Sequence, residues 1–241
     1  MKSLTHELSK IEFIDFHTHK NIFLAKTLSV ISVELADLEN LALQDVDHKF
    51  FSIGLHPWRL PQNTDNLLKN VVQLKKYLQL PKVIAIGEVG LDCLWGPELK
   101  IQKAYLAESI KLARSLNKPL IVHCVRCYPE LISIKKQFAP DIKMLVHGYN
   151  GNTKILEELF EHDFYVSFGS VSLKHNNIYE YIRHKPEYFK RICLETDDTG
   201  ISVEDIYRRA ATAFEIDIEE LKQIMKTNFI SLFQDSDNVS F

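Results

Sequence analysis

Residues 83–88 read VIAIGE, an apolar run of strand length that stops on the carboxylate Glu88. The same grammar returns in PLIVH at 119–123, KMLVH at 143–147 and ICLETD at 192–197, which stop on His123, His147 and Asp197. Unbroken apolar runs bounded by polar residues are what a strand buried on both faces needs, and parallel sheets covered by helices are the usual source of such strands. In a parallel barrel the C-terminal ends of the strands share one rim, where reactive groups collect.

Working outward, four further runs have strand character, giving eight in all: Phe13–His19, Leu28–Glu34, Phe50–Leu55, Val83–Glu88, Leu120–Cys124, Lys143–His147, Phe164–Phe168 and Ile192–Thr196. Between and after them, Asn66–Leu78, Leu99–Leu116, Pro129–Phe138, Thr153–Glu161, Ile178–Arg183, Ser202–Phe214 and Ile218–Phe233 carry apolar residues at helical spacing. Ser202 with Asp205 reads as a helix N-cap. The stretch from Lys20 to Thr27 is too short for a crossover helix. The expected fold is therefore α/β, a distorted TIM (β/α)8-type barrel with an abbreviated first β/α unit, formed as one domain over residues 1–241.

Composition adds exclusions. With 46% hydrophobic and 25% charged residues the chain has the make-up of an ordinary globule. A net charge of -3 gives no bulk attraction to nucleic acid or anionic membrane, so a polyanion would have to be held by metal or by a local basic rim. No run approaches the length of a membrane span, Glu7, Lys10 and Glu12 interrupt the place of a signal peptide, and no obligate protein partner is indicated. Of the four cysteines, Cys124, Cys127 and Cys193 lie in or just after apolar runs and read as buried reduced thiols, which favours a cytoplasmic setting. Cys124 and Cys127 form a C-x-x-C spacing, but without a thioredoxin-like context.

The first strand ends FIDFHTH, and strict alternation puts Asp15, His17 and His19 on one face. Two imidazoles at a strand end can reach one ion, a weak signal until the other strand ends are added. Together they supply six metal-ligand candidates: His17, His19, Glu88, His123, His147 and Asp197. Six exceed the needs of one tetrahedral ion, and a carboxylate can bridge two ions roughly 3.5–4 Å apart. The expected assignment is His17, His19 and Asp197 to one ion, His123 and His147 to the other, and Glu88 shared, with Asp197 also placed to take a proton from water. Mixed imidazole and carboxylate donors favour Zn2+, Mn2+ or Fe2+ on affinity, with Mg2+ open on availability. Asp15 and Glu195, two residues deeper, are expected to orient ligands, with a buried salt-bridged carboxylate as the alternative.

FIDFHTH, SIGLHPW, AIGEVGLD, PLIVHC, LVHGYNG, YVSFG, LETDD and NFISLF, in this order from Phe13 to Phe233, resemble the TatD family of metal-dependent deoxyribonucleases in the amidohydrolase-like superfamily. The resemblance implies a distorted TIM barrel, two divalent metals on the six residues named, and hydrolysis of DNA phosphodiesters, commonly from the 3′ end. It implies DNA as substrate, single-stranded or with free ends. Three places depart from the family pattern: Trp58 replaces a second histidine, Val125 stands where an arginine is usual with Arg126 one place later, and Asp198-Thr199-Gly200 replaces a small residue and proline. Candidate substrate contacts are His56, Arg126, Tyr149 and Asn150, with Lys20, Arg59 and Lys174 behind them. Trp58 is expected to pack under its loop, with base stacking as the alternative. Two other functions stay open: a related barrel hydrolase acting on an amide, lactone or small phosphate ester, and a metal-binding protein without catalysis. Glu88, standing where many such hydrolases use a modified lysine, favours the nuclease.

Overall fold

A computed structural model describes residues 8–22, 24–40, 48–172 and 176–233 of the chain. Its eight strands are β1 (Phe13–Thr18), β2 (Thr27–Glu34), β3 (Lys49–Gly54), β4 (Val83–Asp92), β5 (Leu120–Val125), β6 (Met144–Val146), β7 (Phe164–Phe168) and β8 (Ile192–Leu194). They form one sheet in sequence order, each parallel to the next. The helices are α1 (Leu67–Tyr77), α2 (Leu99–Leu116), α3 (Tyr128–Phe138), α4 (Thr153–Glu161), α5 (Asn176–Arg183), α6 (Val203–Phe214) and α7 (Ile218–Phe233). This is the predicted TIM-barrel-like fold. No described residue between β1 and β2 is helical, and the link after β2 begins with a 3-10 turn at Leu35–Asn40. Among the described residues no helix is long and apolar enough to cross a membrane.

Strand lengths differ in places from the sequence reading. β6 and β8 have three residues each, shorter than predicted, although His147 N–H still donates to the Val122 carbonyl (3.1 Å) and Glu195 N–H to the Phe168 carbonyl (3.2 Å) just past their ends. β4 instead runs four residues beyond Glu88, since Val89, Gly90, Leu91 and Asp92 pair with β5. Gly90 permits that pairing: a Cβ there would stand 2.0 Å from the His123 carbonyl oxygen.

The sheet closes into a barrel at a seam between β1 and β8 made largely by side chains. At the top, Asp197 N–H donates to the His17 carbonyl (3.0 Å) and His19 N–H to the Asp197 carbonyl (3.3 Å). Lower down, the Tyr207 hydroxyl of α6 accepts from Ile14 N–H and donates to the Ile14 carbonyl, both at 3.0 Å. Asp15 accepts from Thr196 N–H (3.0 Å) and Thr196 Oγ1 (2.6 Å). Buried backbone groups that lack a ladder partner must find another, and Tyr207 and Asp15 supply it. Outside the seam, Phe16 packs on Phe229 and Phe233 of α7, with ring centroids 5.9 and 6.4 Å away. Each such buried ring contributes about 1.5–3 kcal/mol. Helix α6 starts on the predicted cap, with Ser202 Oγ accepting from Asp205 N–H at 3.1 Å.

Candidate metal centre

The barrel rim gathers the other five predicted ligands around Glu88. Ladder register slips between Ile86 and Val89 in β4 and between Asp15 and Thr18 in β1, so Glu88 and His17 both stand at irregularities, which re-aim side chains. The two oxygens of Glu88 divide the imidazoles. Oε2 lies 3.4 Å from both His17 Nε2 and His19 Nε2, and Asp197 Oδ1 approaches the same nitrogens at 3.8 and 3.5 Å. Oε1 lies 3.0 Å from His56 Nε2, 3.0 Å from His123 Nδ1 and 2.6 Å from His147 Nε2. Asp197 reaches this position with φ at 53°, a left-handed conformation that aspartate tolerates better than most residues.

The donor set fits a divalent cation. His17 is fully buried, yet among the described residues neither of its ring nitrogens has a hydrogen-bond partner, and His147 Nδ1 also lacks one, 3.7 Å from Glu195 Oε1. Buried polar atoms are normally satisfied, and a cation shared with Glu88 would satisfy His17 Nε2, the ring nitrogen that faces the carboxylate. His17, His19 and Glu88 offer ligand atoms within 4.8 Å of one another, as do His17, His147 and Asp197, and His56, Glu88 and His123.

Burial opposes the charge on Glu88, but His147, His123 and His17 outweigh it and hold its pKa well below the usual range. Burial likewise disfavours the His147 imidazolium, which Glu88 and Glu195 nevertheless hold charged by raising its pKa well above normal. For Asp197, burial and then the Glu195 charge raise the pKa. Burial also raises Glu34, at the end of β2 in the same cleft, to about 7.

Asp92 was missed by sequence reading. Its Oδ2 faces His123 Nε2 at 3.0 Å and accepts from Trp58 Nε1–H at 2.6 Å, while Oδ1 accepts from the backbone N–H groups of Leu94 (2.7 Å) and Trp95 (3.0 Å). Its pKa is lowered: burial opposes the charge, but the bonds from His123 and Trp58 prevail. With a cation on Nδ1, the nitrogen that faces Glu88, the His123 proton would sit on Nε2 and be donated to Asp92. The available signal was its place at the end of AIGEVGLD, four residues past Glu88.

The other candidates separate. His56, read as a substrate contact, belongs to the cluster around Glu88 Oε1. Arg59 is exposed on the rim of the metal cleft, whose volume is about 310 Å³. Arg126 and Asn150 are exposed in a neighbouring groove between the β5 and β6 ends rather than in that cleft. Tyr149 is corrected: it is fully buried, its hydroxyl donates to the Asn152 carbonyl at 2.6 Å, and it cannot touch substrate. Lys20 is engaged with the Thr199 carbonyl, and Lys174 lies outside the described residues.

Asp15 is also corrected. The register slip breaks the strict alternation, and Asp15 sits with Thr18 against Thr196 instead of under His17. Burial pushes its carboxyl up to about 7. Glu195 accepts from Gly148 N–H (2.7 Å) and from Ser167, beside His147. Trp58 is 55% exposed, not packed under its loop. Cys127 is not a reduced thiol: it forms a disulfide with Cys93 and ties the loop after β4 to the start of α3, while Cys124 and Cys193 are free and buried. The cytoplasmic expectation drawn from reduced cysteines loses that support, because such bonds are rare in reducing compartments.

Comparison with known proteins gives concordant relatives. The model of the family described as TatD related DNase matches residues 17–234. The uncharacterized metal-dependent hydrolase YcfH of Escherichia coli K12 is 28% identical over 204 residues, 78% of this chain and 74% of its own length. The deoxyribonuclease Tat-D of Schizosaccharomyces pombe is 31% identical over 159 residues, 61% of this chain and 50% of its own. The human 3'-5' RNA nuclease TATDN2 is 29% identical over 153 residues, 61% of this chain but 19% of its own. Among solved structures, the TatD homologue YJJV of Escherichia coli K12 superposes with a TM-score of 0.76 at 22% identity, covering 93% of this chain and 98% of its own.

Proposed function

The chain belongs to the TatD-related DNase family of metal-dependent hydrolases, and from that premise we propose that it is a deoxyribonuclease cleaving phosphodiester bonds in single-stranded DNA or at free DNA ends. The observation that carries the reading is the division of imidazoles by Glu88, with His17 and His19 on one oxygen and His56, His123 and His147 on the other. That arrangement suits two divalent ions sharing Glu88, with Asp197 completing the first set; Zn2+, Mn2+ and Mg2+ are the candidates. When bound, such ions polarise a phosphoryl oxygen and make water a competent nucleophile near neutral pH.

The chain's own residues do the rest. Asp197, one-third exposed to the cleft (34%), accepts the proton of the attacking water. Asp92 fixes the His123 ring, and Glu195 lies against His147 in the same orienting role. Arg59 on the rim and Arg126 with Asn150 in the adjoining groove would hold flanking phosphates. Removal of nucleotides from the 3′ end is the polarity we infer, in line with the name of the human relative.

A panel of single-stranded DNA, nicked duplex, RNA, phosphomonoesters and amides, run with each divalent ion and with chelator, tests this. DNA should be degraded, and chelator should abolish it. Amide turnover without DNA cleavage would replace the nuclease with the related-hydrolase reading. Metal binding without turnover of any substrate would leave a non-catalytic protein.

A further inference from the structure

The chain has two tryptophans, both exposed: Trp58, at 55%, lines the metal cleft, and Trp95, at 68%, stands on the loop after β4 whose backbone is held by Asp92. Neither exposure comes from a loose loop. Trp58 donates its indole N–H to Asp92, and its ring stands edge-on to His56 and His123, with centroids 4.9 and 5.6 Å away. The loop carrying Trp95 is held by the buried Gln102, whose Nε2 donates to the carbonyls of Asp92 (2.9 Å), Trp95 (3.2 Å) and Pro97 (2.8 Å). The two loops touch. Gly96, at φ 93°, lies so near the Trp58 loop that a Cβ would stand 2.7 Å from the Pro57 carbonyl oxygen.

Large aromatic faces held rigid and left in water are a standing cost unless a ligand covers them. We propose that Trp58 and Trp95 form a stacking platform for the unpaired bases of a single-stranded nucleic acid whose phosphate lies at the metal centre. This rests on the nuclease reading above and specifies how its substrate is held. The chemistry favours a base over another apolar group: Arg59 follows Trp58 in sequence and lines the same cleft, so a phosphate-binding guanidinium and an indole share one rim, the combination that single-strand binders use. The cleft is otherwise acidic, with Glu34, Asp37 and Asp198 on its walls, so phosphate contacts alone are a poor source of affinity there. Stacking is indifferent to base identity, so the platform selects unpaired strands without selecting sequence.

Both reporter groups are in the platform, so indole fluorescence reads it directly. The full chain, loaded with divalent ion, is titrated with a nuclease-resistant phosphorothioate oligodeoxynucleotide, with an abasic strand of equal length and charge, and with the corresponding duplex. The base-bearing single strand should quench fluorescence and bind about 5- to 150-fold tighter than the abasic strand, with the duplex no tighter than the abasic one. Trp95→Ala should narrow that preference, whereas Trp58→Phe, which keeps a ring but loses the indole N–H, should retain more of it than Trp58→Ala. DNA cleavage with equal binding of base-bearing and abasic strands and unaltered fluorescence would overturn the platform and leave the nuclease standing. Failure of every strand to bind, with no cleavage, would overturn both.

Discussion

Replacing Asp92 by asparagine changes one atom and should loosen a metal ligand that it does not itself resemble. Asp92 presents two acceptor oxygens, one to Trp58 Nε1 and His123 Nε2 and one to the N–H groups of Leu94 and Trp95. Asparagine keeps one acceptor, so in either orientation one pair of partners loses its oxygen. If the amide nitrogen faces His123, the ring must accept at Nε2 and carry its proton on Nδ1, the nitrogen 3.0 Å from Glu88 that a cation would need. If it faces the loop, two backbone donors go unpaired, each costing about 1–3 kcal/mol where it is buried. Partners of this kind are typically worth roughly 10–100-fold in metal affinity, or about 1.4–2.7 kcal/mol. Competition with a chromophoric chelator on metal-stripped protein measures the affinity, and a urea transition on the same sample measures stability. Asp92→Asn protein that binds metal within about threefold of the parent would refute the tautomer argument.

Other outcomes follow from the same geometry. Glu88→Ala and Asp197→Ala should each abolish metal-dependent hydrolysis while leaving the circular dichroism spectrum of the barrel intact; full activity in Glu88→Ala would remove the shared-carboxylate assignment. Tyr207→Phe leaves both polar groups of Ile14 without a partner and should lower unfolding free energy by about 2–4 kcal/mol, read from the urea midpoint. Reducing the Cys93–Cys127 bond opens a 34-residue loop and should lower stability by at most about 4 kcal/mol, seen as a lower melting temperature with dithiothreitol that a Cys93→Ser variant does not show. Lys118 is buried against the Val83 carbonyl with its pKa lowered to about 8 by burial. The unfolded chain therefore binds more protons between pH ~8 and ~10.5, and stability should gain a rising component in that window that Lys118→Met lacks.

Local signals carried much of the architecture. VIAIGE, PLIVH and KMLVH are strands because apolar runs of that length fit a sheet buried on both faces, and each stops on a residue that the rim collects. What failed depended on pairing across the chain. Asp15 was misplaced because alternation holds only while the register is unbroken, and β1 slips between Asp15 and Thr18. Asp92 was passed over because β4 was expected to end at Glu88, and its partners Trp58 and His123 lie 34 and 31 residues away in sequence. Cys127 was misread because its partner, Cys93, lies on another loop and no spacing announces it. Tyr149 looked available from its place near a strand end, but its hydroxyl turns inward to Asn152.

The side-chain seam between β1 and β8 also sets an order of events during synthesis. Ile14 and Tyr207 are 193 residues apart, and Asp15 and Thr196 are 181 apart. At roughly 5–20 residues per second, β1 waits on the order of 10–40 s for the groups that fasten it. His17 and His19 are among the first ligands made and Asp197 is the last. The nascent chain thus carries a half-built cation site through most of its elongation, and the barrel and the metal centre are finished by the same late stretch of polypeptide.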